Sequence, residues 1–230
     1  MIKATRKPLE EISSSVKGYG RILVLGCGGC TSVCLAGGQR ESLELADDLA
    51  QVARAGGSTQ HQSSATVERQ CNPVFLAEIS GRIADCDCVL STACGAGVQN
   101  LSDAFPALPV FPALDTLFIG VDIDVGLYEE RCRHCASCML AYTGGICPVT
   151  RCAKSLFNGP CGGTRVDGGC EVGEGKSCAW LEIHDRLKAQ GRLDSILSLR
   201  PPMDWVDRGP ATLVQVGYEG RYTAAKVAAP

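Results

Sequence analysis

The chain has 230 residues, of which 45% are hydrophobic and 20% are charged, and its formal net charge is −3. These values predict a globular protein of one or two domains, and they exclude a strongly basic surface that would bind nucleic acid. No apolar stretch is long enough for a membrane span and the N-terminus lacks the apolar core of a signal peptide, so we expect a cytoplasmic protein with reduced thiols.

Predicted strands and helices alternate between residues 21 and 122, after a polar arm or helix over residues 1–20. The predicted strands are Ile22–Leu25 and the stretches SATVERQC, CDCVLST, LPVFPAL and TLFIGVD. The predicted helices are residues 40–55, PVFLAEISGRIADC with Pro73 in its first turn, and ACGAGVQNLSDAF. The helical spacing in residues 40–55 predicts an inward face of Leu43, Ala46, Leu49 and Ala50. This alternation indicates the α/β class, with a small, mainly parallel, Rossmann-like sheet.

The composition changes at residue 126, where apolar periodicity stops and Cys and Gly dominate as far as Cys178. Such a segment buries too little side chain to fold as an ordinary core, so another agent must organise it. Residues 180–197 then predict a helix. We therefore expect an α/β domain over residues 1–125, a cysteine-rich domain with its following helix over 126–200, and an extended tail over 201–230.

Eight of the fifteen cysteines lie in the cysteine-rich part: Cys132, Cys135, Cys138, Cys147, Cys152, Cys161, Cys170 and Cys178. The first three form C-x2-C-x2-C, the spacing by which a loop wraps three thiolates around a [4Fe-4S] cluster, and Cys147 is followed by Pro as in bacterial ferredoxins. Eight thiolates suit two such clusters, so we predict a ferredoxin-like, cluster-binding segment.

Structural zinc is the alternative for these cysteines, because zinc sites are built from paired C-x2–4-C units, and His134 offers a substitute ligand. Three evenly spaced cysteines favour iron–sulfur over zinc, although one site of each kind stays open. The basic residues beside the cysteines either offset thiolate charge or form a solvated edge: Arg131, Arg133, Arg151 and Lys154.

A second set of cysteines follows two predicted strands of the α/β domain, in GCGGCTSVCLAGG and STACGAGVQ. Neighbouring parallel strands end at one edge of a sheet, where such sheets bind ligands. The predicted third four-thiolate metal site consists of Cys27, Cys30, Cys34 and Cys94. Of the remaining cysteines, Cys71 is a reserve ligand, Cys86 has no assigned role, and Cys88 is predicted to be a small buried hydrophobe.

No catalytic residue is predicted anywhere in the chain. The three histidines are scattered and form no nucleophile–base arrangement: His61, His134 and His184. Asp122 and Asp124 alternate along a predicted strand end and are expected to lie on a solvated face. The pattern is that of a protein that carries electrons and has no substrate site.

The quoted motifs resemble the methylenetetrahydrofolate reductase C-terminal-domain family. The resemblance rests on CRHCASCMLAYTGGICPVTRCAKSLFNGPCGGTRVDGGCEV and CAWLEIHDRL, with GCGGCTSVCLAGG and ACGAGVQ nearer the N-terminus. Within the family, the chain looks like the iron–sulfur small subunit of the anaerobic, acetogen-type reductase. All eight C-terminal cysteines and the four N-terminal ones occupy matching positions, and the resemblance leaves open which of them share a cluster.

This resemblance implies an electron-transfer subunit of the reductase complex in one-carbon (reductive acetyl-CoA) metabolism. The flavin belongs to a catalytic partner subunit, further redox subunits or a ferredoxin-like donor supply electrons, and no flavin is expected in this chain. Exposed apolar residues would contact the partner: Phe157, Trp180 and Trp205. The alternatives are a zinc-binding structural or assembly subunit of the same reductase, and a self-standing enzyme with an open iron at the N-terminal site.

Overall fold

The computed structural model describes residues 1–202 and 212–221. Its strands are β1 (Ile2–Arg6), β2 (Arg21–Cys27), β3 (His61–Val67), β4 (Cys88–Ser91), β5 (Val110–Pro112), β6 (Leu114–Asp124) and β7 (Leu127–Cys132). Its α-helices are α1 (Leu9–Ser15), α2 (Cys30–Val33), α3 (Gln39–Ala55), α4 (Pro73–Ala77), α5 (Ser80–Ala84), α6 (Gly95–Ala104), α7 (Pro148–Arg151) and α8 (Ala179–Ala189). Single 3-10 turns occupy Leu140–Tyr142, Leu193–Leu197 and Glu219–Arg221.

Four strands form the predicted parallel sheet, in the order β3-β2-β4-β5. Residues of β2 point alternately to its two faces, as a strand requires. Ile22 and Val24 pack against α1 and α3, whereas Leu23 and Leu25 pack against α4, α5 and α6. Helices therefore cover both faces, which confirms the predicted α/β class.

The inward face of α3 is shifted from its predicted position. Leu43 is 50% exposed, whereas the buried positions of the helix are Ser42, Leu45, Ala46, Leu49 and Ala53. These residues follow the spacing of three and four that places side chains on one helix face. Ala46 and Leu49 are buried as predicted, whereas the assignment of Leu43 was wrong because it lies beside that face.

A second sheet, antiparallel and in the order β1-β6-β7, corrects two predictions. The predicted arm or helix over residues 1–20 contains strand β1 before helix α1, and TLFIGVD lies in β6 instead of closing the parallel sheet. β1 pairs with β6 from Ile2↔Ile119 to Arg6↔Leu114. Such a distant partner leaves no local signal, so spacing within either segment does not reveal the pairing.

Two predicted helices end earlier than expected. PVFLAEISGRIADC forms α4 and α5 with a break at Glu78 and Ile79, and Pro73 occupies the first turn of α4 as predicted. The helix predicted over residues 180–197 stops at Ala189, because Gly191 takes a left-handed backbone with φ +65°. A 3-10 turn follows.

The predicted tail lies partly beyond what the structure covers, since residues 203–211 and 222–230 are outside the described residues. The three-part division into residues 1–125, 126–200 and 201–230 stays a prediction. In the described ranges, no helix combines the length and the apolar character that crossing a bilayer requires.

The Gln70 side chain links β2 to β4, the two neighbouring strands between which the strand order of the sheet reverses. The side chain is fully buried, and its amide nitrogen donates hydrogen bonds to the carbonyl oxygens of Leu25 (2.7 Å) and Gly26 (3.2 Å). Its amide oxygen accepts a hydrogen bond from the Ser91 hydroxyl at 2.6 Å. The chain runs from β2 to β3 on one side of β2 and then crosses to β4 on the other side. These bonds therefore join β2 and β4 at the topological switch point of the sheet.

Replacing Gln70 with Leu should therefore destabilise the fold. The change leaves the Ser91 hydroxyl and the strand carbonyls without their buried partner, which costs about 1–3 kcal/mol. We expect a lower urea midpoint under anaerobic conditions. Gln99→Leu is the matched control, because the Gln99 amide is exposed and donates only to the Gly95 carbonyl. Equal midpoints for the two variants would show that Gln70 does not hold the strands.

Candidate metal centre

Four cysteines line one small cavity in the cysteine-rich segment: Cys152, Cys161, Cys170 and Cys178. Cys152 ends α7, and Cys178 is the residue immediately before α8. Between them the chain folds back on itself through two antiparallel bridges, Thr164↔Cys170 and Gly169↔Ser177. These bridges bring the cysteines of a segment poor in regular structure to a single cavity, which we call the four-cysteine cavity.

The four-cysteine cavity lies against a small apolar cluster built mainly by α8. Ile146, Trp180, Ile183 and Leu187 are buried together, and Cys152 and Cys178 pack against them. The Trp180 indole donates a hydrogen bond to the Leu156 carbonyl at 2.8 Å. Half of the site is therefore held by ordinary side-chain packing.

This packing corrects the predicted partner surface. Trp180 is only 5% exposed, so its assignment as an exposed contact was wrong: the first turn of α8 turns its indole into the cluster. Phe157 is half-buried and lines two cavities. Trp205 lies outside the described residues.

Polar groups approach two of the four sulfurs. The Thr164 hydroxyl donates to Cys178 Sγ at 3.0 Å, and Cys161 Sγ accepts from the Gly163 backbone amide at 3.4 Å and from the Lys154 ammonium at 3.7 Å. Burial acts to raise the pKa of Cys178, but the Thr164 hydrogen bond and the backbone amides of α8 outweigh it and lower that pKa. Cys178 is thereby biased toward the thiolate, the form that binds metal.

The other four cysteines of the segment follow β7. Cys132 ends that strand and Cys147 precedes α7, with Cys135 and Cys138 in the loop between them. Cys132 Sγ accepts a hydrogen bond from the His134 amide at 3.3 Å. His134 and Ala136 take left-handed backbone conformations with φ of 43° and 55°, which non-glycine residues adopt only where their surroundings hold them.

Helix α7 joins the two groups of cysteines, because Cys147 precedes it and Cys152 follows it. The arginines near α7 form ion pairs with glutamates. Arg131 pairs with Glu129 at 2.7 Å and Arg133 with Glu130 at 2.9 Å. Arg151 lies 3.0 Å from both Glu129 and Glu182. Of the four basic residues singled out by sequence, Lys154 is the one with a hydrogen bond to a cysteine sulfur.

A larger cavity of about 660 Å³ opens beside Cys132. Its walls are mainly apolar, with the β6 residues Leu117, Phe118 and Ile119 on one side and Val149 and Phe157 on another. Its volume falls in the range of cavities that take a small molecule or a partner's side chains.

The N-terminal cysteines lie at the expected edge of the parallel sheet. Cys27 ends β2 and Cys94 follows β4, and these strands are paired neighbours, with Leu25 opposite Ser91. Cys30 starts the short helix α2. Cys34 is buried in an apolar cluster with β1, where its sulfur accepts from the Ala4 amide at 3.5 Å. Whether these four bind one metal stays a prediction.

Within the described ranges, no group of three or more His, Cys, Asp or Glu side chains is arranged so that it could hold a metal ion as the side chains stand. The donor chemistry of the four-cysteine cavity nevertheless fits, because four thiols around one cavity are the ligand set of both four-thiolate zinc sites and [4Fe-4S] sites. Sequence reasoning identified all four cysteines, but it did not divide the eight into groups and missed Thr164 and Glu171, which no local motif marks.

Comparison with known proteins gives one family match. Residues 111–206 match the family model described as methylene-tetrahydrofolate reductase C terminal. The match contains all eight cysteines of the cysteine-rich segment, together with β6, β7 and α8. Curated proteins and solved structures gave no significant match.

Two of the leftover cysteines, Cys71 and Cys88, differ sharply in exposure. Cys88 is fully buried in β4, as predicted, and burial raises its pKa to about 12. Cys71 is exposed. At pH 8 we therefore expect iodoacetamide to alkylate Cys71 in the native protein and to leave Cys88 unmodified, because the thiolate is the reacting form.

Peptide mass spectrometry measures both modifications, and the denatured protein serves as the control in which both cysteines react. Rapid alkylation of Cys88 in the native protein would contradict its burial in β4.

Proposed function

We propose that this chain, whose residues 111–206 match the methylene-tetrahydrofolate reductase C-terminal family, is the iron–sulfur, electron-transfer subunit of a methylenetetrahydrofolate reductase complex. The observation that carries the proposal is the convergence of Cys152, Cys161, Cys170 and Cys178 on one cavity inside the matched segment. The complex would act in the cytoplasm, in one-carbon metabolism, and this subunit would be non-catalytic.

In this proposal the two cysteine groups of the C-terminal segment each hold one [4Fe-4S] cluster. Cys152, Cys161, Cys170 and Cys178 hold one, and Cys132, Cys135, Cys138 and Cys147 hold the other. Such clusters supply one-electron exchange over a wide range of potentials. Cys147 of one set precedes α7 and Cys152 of the other set follows it, so the two sets are joined by this short helix. This arrangement supports electron transfer between the two clusters. The N-terminal set of Cys27, Cys30, Cys34 and Cys94 is proposed as a third metal site.

The proposed partner is the flavin-carrying catalytic subunit, with further redox subunits or a ferredoxin-like donor on the other side of the relay. The β6–β7 hairpin supports this partner, because it exposes Leu117, Val121, Ile123 and Leu127, and Leu117 also lines the cavity at Cys132. Contiguous exposed apolar side chains mark interaction surfaces. A partner docked on this surface would lie close to Cys132, which lines the cavity.

Structural zinc is the second candidate, and one observation favours it. Cys152 and Cys178 pack against the apolar cluster of α8, so a metal in the four-cysteine cavity would also fasten that helix. A zinc site there would make the chain an assembly subunit of the same reductase.

Metal analysis with electron paramagnetic resonance separates the two candidates. Anaerobically purified protein should contain about eight to twelve irons per chain, the content of two or three cubane clusters, and should show a signal that appears on reduction with dithionite. One or two zinc ions per chain and no signal on reduction would replace the electron-transfer proposal with the structural one.

Substituting one cysteine from each group should remove one cluster at a time. Cys161→Ala and Cys138→Ala are each expected to lose about four irons and to stop electron delivery, while the partner's flavin stays bound. Cys86→Ala is the matched control, because Cys86 lies outside both groups and has no assigned ligand role. Full iron content and electron transfer in either ligand variant would overturn its assignment.

A further inference from the structure

Two cysteine sulfurs of the four-cysteine cavity carry hydrogen bonds from side chains of this chain. Thr164 Oγ1 donates to Cys178 Sγ at 3.0 Å, and Lys154 Nζ donates to Cys161 Sγ at 3.7 Å. Thr164 is held opposite Cys170 by the antiparallel bridge. Lys154 follows α7 closely, two residues after Cys152. Both donor residues therefore lie on the backbone segments that form the site.

A carboxylate opposes these donors at the same cavity. Glu171 lies with one carboxylate oxygen 3.8 Å from Cys161 Sγ, and the same oxygen accepts from the Lys154 ammonium. A side chain at residue 163 would overlap the Glu171 carboxylate, so Gly163 makes room for it beside the sulfur. Lys154 therefore serves two acceptors, the thiol of Cys161 and the carboxylate of Glu171.

These contacts have opposite effects on a redox centre. Reduction adds negative charge to a cluster and its sulfurs, so donors and positive charges near the sulfurs stabilise the reduced form and raise the potential. A nearby carboxylate disfavours the added charge and lowers the potential. Lys154 and Thr164 should act in one direction and Glu171 in the other.

The first cysteine group has a different environment. Among the hydrogen bonds of the described residues, Cys132 Sγ accepts from the His134 backbone amide, and no side-chain donor reaches the sulfurs of Cys132, Cys135, Cys138 or Cys147. The neighbouring guanidinium of Arg133 is engaged by Glu130. The two groups therefore differ in the donors that contact their sulfurs.

We propose that Lys154, Thr164 and Glu171 set the reduction potential of the centre in the four-cysteine cavity. This inference rests on the proposed electron-transfer function.

The test is a redox titration of the anaerobically purified full chain, followed by electron paramagnetic resonance, on single variants. Thr164→Val and Lys154→Met should each lower the midpoint of one cluster signal, and Glu171→Gln should raise the same midpoint. The midpoint of the other cluster should stay in place and serve as an internal reference. Thr164→Ser keeps the donor hydroxyl and should retain the original midpoint.

Lys176→Met is the matched control for charge. Lys176 also lines the four-cysteine cavity, yet its ammonium has no hydrogen bond to a sulfur in the described structure. Removing its charge should shift the midpoint less than half as far as Lys154→Met does. An equal shift would show that net charge at the cavity, and not the contact with Cys161, controls the potential, and would overturn the role given to Lys154.

The results separate this inference from the proposed function. Two clusters with unchanged midpoints in Thr164→Val, Lys154→Met and Glu171→Gln would overturn the inference and leave electron transfer standing. Shifts of the same sign in the lysine and glutamate variants would also overturn it. Wild-type protein without iron would overturn both. If Lys154→Met fails to fold, the opposite signs expected for Thr164→Val and Glu171→Gln still decide the question.

Discussion

The cysteine-rich segment depends on one constraint: thiols from distant positions must meet although little apolar surface draws the chain together. The cluster of Ile146, Trp180, Ile183 and Leu187 is the main apolar anchor of that segment, and Cys152 and Cys178 lie against it. The bridges Thr164↔Cys170 and Gly169↔Ser177 then close the remaining loop. Packing at one end and backbone pairing at the other together position the four cysteines around the cavity.

The antiparallel sheet joins the α/β part of the chain to the cysteine-rich part. The antiparallel sheet begins at β1, near the first residue, and ends at Cys132, the first of the eight C-terminal cysteines. The parallel sheet, by contrast, is complete by Pro112 and is fastened internally by Gln70. Strand β6 therefore connects the α/β part, through its pairing with β1, to β7 and the cysteines of the proposed metal sites.

Local patterns were enough to predict the parallel sheet and the ligand candidates. Buried runs such as Ile22–Leu25 and the spacing of Cys132, Cys135 and Cys138 depend on neighbouring residues only. The pairing of β1 with β6, the burial of Trp180 and the contacts of Thr164 and Glu171 depend on residues far apart in the chain or on loop geometry. No periodicity encodes those contacts, so the meeting of Cys152, Cys161, Cys170 and Cys178 at one cavity could not be predicted from the sequence.

The pairing of β1 with β6 has a consequence for how the molecule can be divided. The family match begins at residue 111, so it includes β6 but leaves β1 out. Expressed alone, residues 111–206 would present the β1 side of β6 as an open edge, with the amides and carbonyls that bond to β1 between Leu114 and Ile119 left unpaired. Open edges of this kind recruit strands from other molecules. The limits drawn by sequence similarity therefore cut through a sheet, and an excised fragment would tend to self-associate.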